Sequence, residues 1–221
     1  MNDLWPALWL SLRIATTATA VTMLLGVPLA YFTARRQFPG KSVVEALILT
    51  PLVLPPTVVG YLIITTLGAR GWAGSWLNDL VGYSVMFRFE GAVLAAATVA
   101  LPMQYMPARA AFASVDRELE DMARTLGAGR LQSFWHVSLP LARRGVLGGA
   151  ILAFARALGE FGATVMVFGW QPDRLTLPVS VYADFEMNRL DHAAPAVAAM
   201  SLISLALMMA YNASSAGRRE R

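Results

Sequence analysis

Apolar positions along this chain fall into five long blocks rather than into the spaced stripes of a soluble helical protein. They cover about residues 4–32, 43–67, 91–112, 146–168 and 196–213. A helix crossing the hydrocarbon core of a bilayer needs about 20 largely apolar residues, and each block is close to that length or longer. The pattern predicts an all-α integral membrane protein of about five transmembrane helices, folded as a single domain over residues 1–221. The first block lacks a basic region ahead of it and is too long for the core of a cleavable signal peptide, so it is expected to stay in the membrane. Between the fourth and fifth blocks, the outer segment from Leu175 to Leu190 carries apolar Leu175, Leu177, Val179, Val181 and Phe185. That segment is too polar to span alone. It fits either a short amphipathic or re-entrant helix packed on the bundle, or an ordinary loop.

Composition sharpens the picture. Of 221 residues, 57% are hydrophobic and 14% charged, against about 25% charged in soluble domains. There is no cysteine, which excludes disulfides, thiolate metal sites and cysteine nucleophiles. The two histidines, His136 and His192, lie far apart in sequence, so neither a zinc nor a haem site is expected. The net charge of +4 does not indicate nucleic acid, because the charges sit in the gaps between apolar blocks.

Those gaps are asymmetric. Arg35, Arg36 and Lys41 follow the first block. Arg109, Arg117, Arg124, Arg130, Arg143 and Arg144 cluster around the gap between the third and fourth, and Arg218, Arg219 and Arg221 close the chain. Asp3 is the charged residue of the amino-terminal stretch, and Arg70 and Arg88 lie between the second and third blocks. Arg174 and Arg189 are outnumbered by Asp173, Asp184, Glu186 and Asp191. The positive-inside rule therefore predicts an external amino terminus and a cytoplasmic carboxyl terminus, as an odd number of spans requires.

The second block contains Pro51, Pro55 and Pro56. Three missing donors and three ring clashes disfavour a straight helix, and in lipid the freed carbonyls need protein or a water-filled cavity. The expectation is a hinge or pore-lining bend, with a static kink as the alternative. Pro102 and Pro107 add kinks to the third block. In and around the fourth block, Gly145, Gly148, Gly149, Gly159 and Gly162 are interspersed with alanines, the composition of a helix packed closely against others. Arg156 and Glu160 stand one turn apart in the same block. Charges placed in a span usually face the bundle interior or a pathway, so they are candidate gate residues, with a purely structural ion pair as the alternative. Arg13, in the first block, is expected to snorkel outward.

The gap between the third and fourth blocks carries the most specific signal. Residues 116–126 suit a short amphipathic helix with acidic residues in its first turns and Gly127 as its stop. A second apolar and aromatic stretch then leads back to Leu139-Pro140. This segment, about residues 115–140, resembles the coupling loop of the permeases of ABC importers: Glu-Ala-Ala, three residues, Gly, nine residues, an aliphatic residue, one residue, Leu-Pro. The pattern falls on Asp121-Met122-Ala123, Gly127, Val137 and Leu139-Pro140. Asp and Met replace the first Glu and Ala, and Glu120 lies one step early. Two further stretches, Pro51 to Tyr61 and Ala153 to Thr164, are similar to the molybdate branch of that family. Met106-Pro107 departs from the basic, non-proline stretch expected before Arg109, and the stretch from Asp184 to His192 is individual.

The resemblance implies a type I ABC-importer permease bundle and an ATPase-coupling surface at Glu120, Asp121, Met122, Ala123, Gly127, Leu139 and Pro140. It also implies a gate or pathway around Pro55, Pro56, Arg156, Glu160, Gly162 and Thr164. The implied partners are a second copy of the chain, two cytoplasmic ATPase subunits, an external oxyanion-binding protein and the bilayer. No cofactor is expected in this chain: it has no Gly-x-x-x-x-Gly-Lys-Ser/Thr phosphate loop, and ATP and Mg would be held by the ATPase. The implied cargo is molybdate or tungstate, with sulfate or thiosulfate as the alternative. A secondary transporter using Arg156 and Glu160 as a proton relay is the rival mechanism. A membrane-embedded enzyme lacks a supporting nucleophile–base or metal set.

Overall fold

A computed structural model describes residues 4–171 and 174–216. Asp3, Asp173, Arg218, Arg219 and Arg221, which contributed to the orientation argument, lie outside the described residues. Among the described residues every regular element is helical: α1 (Leu4–Arg35), α2 (Lys41–Val53), α3 (Pro56–Leu67), α4 (Trp72–Val81), α5 (Phe89–Ala113), α6 (Arg117–Thr125), α7 (Arg130–Ser133), α8 (Leu139–Leu158), α9 (Gly162–Phe168), α10 (Leu177–Glu186) and α11 (Leu190–Ala216). A π-helical turn, Phe134–Ser138, joins α7 to α8.

Among the described residues, three helical stretches are long and apolar enough to cross a membrane: Leu4–Arg35, Arg130–Leu158 and Leu190–Ser214. The bent pair of α2 and α3 satisfies the same test when taken together. α5, 25 residues long, is the most enclosed of the long helices and packs between α1 and α8.

Small side chains make that packing close. Ala15 and Ala18 of α1, Ala92, Ala96 and Ala100 of α5, and Ala153 and Ala157 of α8 share one core cluster. Gly145 and Gly149 bring α8 onto α5. A Cβ at Gly145 would stand 2.3 Å from that of Ala111, and one at Gly149 would stand 2.8 Å from the Gln104 carbonyl oxygen. Buried Gln104 donates from Nε2 to the Val146 carbonyl (3.2 Å), a hydrogen bond between the same two helices. Hydroxyls within α1 are satisfied locally: Thr17 bonds the Arg13 carbonyl, Thr19 that of Ala15 and Thr33 that of Leu29. Back-bonding of this kind lets polar side chains sit in an apolar helix.

The two interrupted blocks behave differently from straight spans. Between Val53 and Pro56 the helix breaks and turns through 117°, as the proline cluster predicts. The fourth block, expected over 146–168, is divided. α8 ends at Leu158, and α9 starts at Gly162 after a break at Gly159–Phe161. On its amino-terminal side, by contrast, the helical path extends back to Arg130. The segment from Leu175 to Leu190 contains a helix rather than only a loop. α10 starts with Pro178 in its first turn, where the missing N–H costs nothing. It docks on α1 through a buried bond from the Leu177 N–H to Ser11 Oγ (2.8 Å).

Candidate functional site

The segment between α5 and α8 is built around a helix with both ends specified. The Asp116 side chain caps α6 by accepting from the Glu118 N–H (3.0 Å), and Glu118 and Glu120 occupy the first turn, next to the positive end of the dipole. At the other end Gly127 adopts φ +90°. Its N–H bonds the Arg124 carbonyl (2.9 Å), and the Ala128 N–H bonds that of Ala123 (3.0 Å). This Schellman-like closure needs a left-handed residue, which is why glycine stops the helix there. A Cβ at Gly127 would meet nothing within 4 Å, so the constraint is backbone conformation and not space. The Gly129 N–H then bonds Gln132 Oε1 (2.9 Å) and starts α7. The wider π turn, Phe134–Ser138, stands just before Leu139-Pro140, and the proline ring disfavours normal helical hydrogen bonding at the preceding turn.

The adjacent acids of α6 point opposite ways. Glu120 is 4% exposed. It is held by Arg35 Nη2 at 2.8 Å, by Ser138 Oγ donating at 2.6 Å and by the Tyr31 hydroxyl at 3.4 Å, and Arg124 Nη2 lies 3.7 Å from its second oxygen. Asp121 is exposed and pairs with Arg124 at 3.2 Å. Asp121 also lines a shallow open groove with Glu118, Met122, Thr125 and Leu126, and Leu126 is 89% exposed. Ala123 is half-buried and Gly127 exposed. Leu139 packs at the edge of a core cluster with Tyr31, Phe112 and Phe134, while Pro140 is exposed. Sequence reasoning grouped Glu120 and Asp121 together and missed Tyr31 and Ser138. It used Arg35 only as an orientation charge. No spacing rule connects residues so far apart in the chain.

The second group of predicted residues meets where α8 breaks. Arg156 Nη1 lies 2.8 Å from Glu160 Oε2, and the Glu160 side chain is 1% exposed. Glu160 Oε1 accepts from the Ala163 N–H at 2.7 Å, so the carboxylate joins the end of α8 to the first turn of α9. Gly162 abuts the start of α3: its Cβ would lie 3.2 Å from Pro56 Cβ and 3.2 Å from Thr57 Cγ2. A Cβ at Gly60 would lie 2.7 Å from Met166 Cβ. The two interrupted blocks thus pack break against break, bringing Pro56, Glu160 and Gly162 together. Thr164 is buried at 2% exposure, and Pro55 is exposed beside the bend. Arg13 is exposed and stacks over the Phe89 ring at 5.1 Å. The α6 segment and this junction stand at opposite ends of α8, whose 20 residues span about 30 Å. Among the described residues no group of three or more His, Asp or Glu is arranged to hold a metal.

Known proteins give this geometry a context. Residues 26–217 match the family model described as "Binding-protein-dependent transport system inner membrane component". The chain is 40% identical to the molybdenum transport system permease protein ModB of Escherichia coli K12, over 93% of this chain and 89% of that one. It is 40% identical to the ModB of Haemophilus influenzae over 80% of this chain and 78% of the relative. It is also 35% identical to the molybdate/tungstate transport system permease protein WtpB of Thermococcus kodakarensis, over 90% of this chain and 74% of the relative. Among solved structures, a bacterial ABC transporter for the acidic polysaccharide alginate superposes with a TM-score of 0.74 at 16% identity, covering 100% of this chain and 81% of that one. The MetNI methionine ABC transporter does so with a TM-score of 0.67 at 17% identity, covering 96% and 95%. At those identities the structural likeness speaks for the fold, that of a type I ABC-importer permease. Taken with the sequence match, it shows that this chain belongs to the family of binding-protein-dependent transport system inner membrane components.

Proposed function

We propose that this chain is the membrane-spanning subunit of an ATP-driven importer that moves molybdate, or its near twin tungstate, into the cytoplasm. The observation that carries the substrate is the 35–40% identity, over most of the chain, to relatives named as molybdenum and molybdate/tungstate permeases. The chain works as a transport subunit and not as an enzyme. Two copies join two cytoplasmic ATPases, which hold ATP and Mg, and an external binding protein delivers the anion. One permease domain covers residues 1–221, with five spans, an external amino terminus and a cytoplasmic carboxyl terminus.

In this scheme the exposed face of α6 and the turn at Gly127 sit in a groove of the ATPase. Glu120, Asp121, Met122, Ala123, Gly127, Leu139 and Pro140 form the coupling element. ATPase closure displaces α6, and the displacement travels along α8 to the junction of α8, α9 and α3. Pro55, Pro56, Arg156, Glu160, Gly162 and Thr164 then act at the gate, where two helix breaks meet. A gate built on breaks is physically economical, because hinge motion needs only a few backbone dihedrals to change. The close approach at Gly162 supports this assignment.

The test is uptake of labelled molybdate by proteoliposomes containing the chain, its ATPase and the binding protein. Uptake is expected to require ATP, to be blocked by tungstate and to ignore excess sulfate. Displacement by sulfate would change the cargo and keep the machine. Uptake driven by a proton gradient without ATP would overturn the assignment.

A further inference from the structure

α6 carries the docking face, yet it is barely attached to the bundle by apolar contact. Among its described residues Glu120 alone is buried, and Met122 and Leu119 are 59% and 43% exposed. Its inward attachment is a charge. The Arg35 and Glu120 side chains are 9% and 5% exposed and meet at 2.8 Å. Four elements converge on this pair. Arg35 is the last residue of α1, and its Nη1 donates to the Val115 carbonyl at 2.8 Å, in the link between α5 and α6. Arg117 at the start of α6 donates back to the Arg35 carbonyl at 3.3 Å. Ser138, which donates to Glu120 at 2.6 Å, ends the π turn that leads into α8.

Apolar contacts are non-directional and tolerate sliding. The hydrogen bonds from Ser138 to Glu120 and from Arg35 Nη1 to Val115 are directional and fix geometry, and removing one partner of the close Arg35–Glu120 ion pair leaves a buried charge uncompensated. The loop on either side of α6 would otherwise absorb a displacement applied to its exposed face. We propose that Arg35 and Glu120 are the positioning residues that clasp α6 to the end of α1 and the start of α8, so that a stroke on α6 moves the membrane helices. Asp121, the acid at the family's motif position, faces outward and does not serve the clasp. The inference rests on the proposed role of α6 as the ATPase-docking element.

The test uses the complete reconstituted complex with Glu120→Gln, which keeps side-chain volume and an acceptor for Ser138 but removes the charge, and with Asp184→Asn, an ion-pair carboxylate of α10 outside both proposed sites, as the comparison. The ATPase is expected to stay bound in Glu120→Gln and hydrolysis without binding protein to persist, while anions transported per ATP hydrolysed fall at least about fivefold. Asp184→Asn is expected to keep the wild-type ratio. The charge-reversed double variant Arg35→Glu/Glu120→Arg is expected to recover part of the loss. A wild-type transport ratio in Glu120→Gln would overturn the clasp. So would loss of the ATPase from that complex, which would make Glu120 a docking residue.

A measurement on the unperturbed pair guards against a variant that fails to fold. The chain has no cysteine, so spin labels at Phe32→Cys and Leu119→Cys report the distance from α1 to α6 directly. One unchanged distance in resting and ATP-trapped complexes is expected, and a shift between the states would overturn the proposal. If the wild-type complex itself shows no ATP-dependent uptake, the transport assignment fails instead, and the two failures are distinguishable.

Discussion

Gly127 and Glu160 carry the two sites by different means. The φ of +90° at Gly127 costs an L-residue about 1–2 kcal/mol, and a β-branched side chain suffers most. Gly127→Val therefore is expected to reshape the turn after α6 while leaving the bundle intact, since no neighbour lies within 4 Å of the added Cβ. Binding-protein-stimulated ATP hydrolysis in the reconstituted complex should fall, and undiminished stimulation would remove the turn from the coupling surface. Glu160 is a matter of charge instead. Glu160→Ala leaves Arg156 without its carboxylate at 2.8 Å and the Ala163 N–H without its acceptor. Breaking a buried pair costs about 3–5 kcal/mol, and the low end is appropriate because Arg156 is 28% exposed. A clear drop in the unfolding midpoint in detergent is expected, with Glu160→Gln in between. An unchanged midpoint for Glu160→Ala would show that the pair contributes nothing to folding.

For the helices, the informative contrast is between elements held by shape and elements held by charge. α3 and α9 meet through glycine: a Cβ at Gly60 would stand 2.7 Å from Met166 Cβ and 3.0 Å from Ala163 Cα. Gly60→Val should push the two broken helices apart, costing about 1–3 kcal/mol as overpacking. Lower thermal stability of the detergent-solubilised chain, together with altered uptake, is the expected result. Wild-type values of both would mean that the contact is dispensable. α2 has no buried side chain among its described residues. It is tied to α5 by Glu45, which takes Arg109 Nε and Nη2, both at 2.8 Å. The breaks were legible in part. Three prolines announce the bend before α3, whereas the break before α9 falls in an apolar, glycine-rich run that a helix would also tolerate. Where α8 stops depends on Glu160 capping α9 and on α3 filling the space beside Gly162, and neither fact is local in sequence.

Across the molecule, the exposed apolar residues mark surfaces that water does not cover. Leu202, Leu205 and Met209 of α11 are 68%, 60% and 64% exposed, as are Leu47 and Val53 of α2 at 67% and 84%. Such patches fit lipid or a second copy of the chain. The proposed topology places the carboxyl terminus in the cytoplasm. A green fluorescent protein fused there should fluoresce, because it folds only on the cytoplasmic side, while alkaline phosphatase at the same position should be inactive. The reverse pattern would invert the chain and place α6 on the wrong side for an ATPase.

Composition and spacing alone determined the membrane character, the helical class, the bend at the proline cluster and the short amphipathic helix after α5 with its glycine stop. These follow from local rules: hydrocarbon excludes unpaired backbone groups, proline lacks a donor, and a left-handed turn favours glycine. Tertiary structure decided which of two neighbouring acids is buried, that Arg35 and Ser138 meet it, that α10 is a helix docked on Ser11, and that the two broken stretches pack break against break. Each depends on residues distant in sequence converging around one group. A carboxylate next to another in the chain has the same local chemistry, and only the partners folded against it determine which one turns inward.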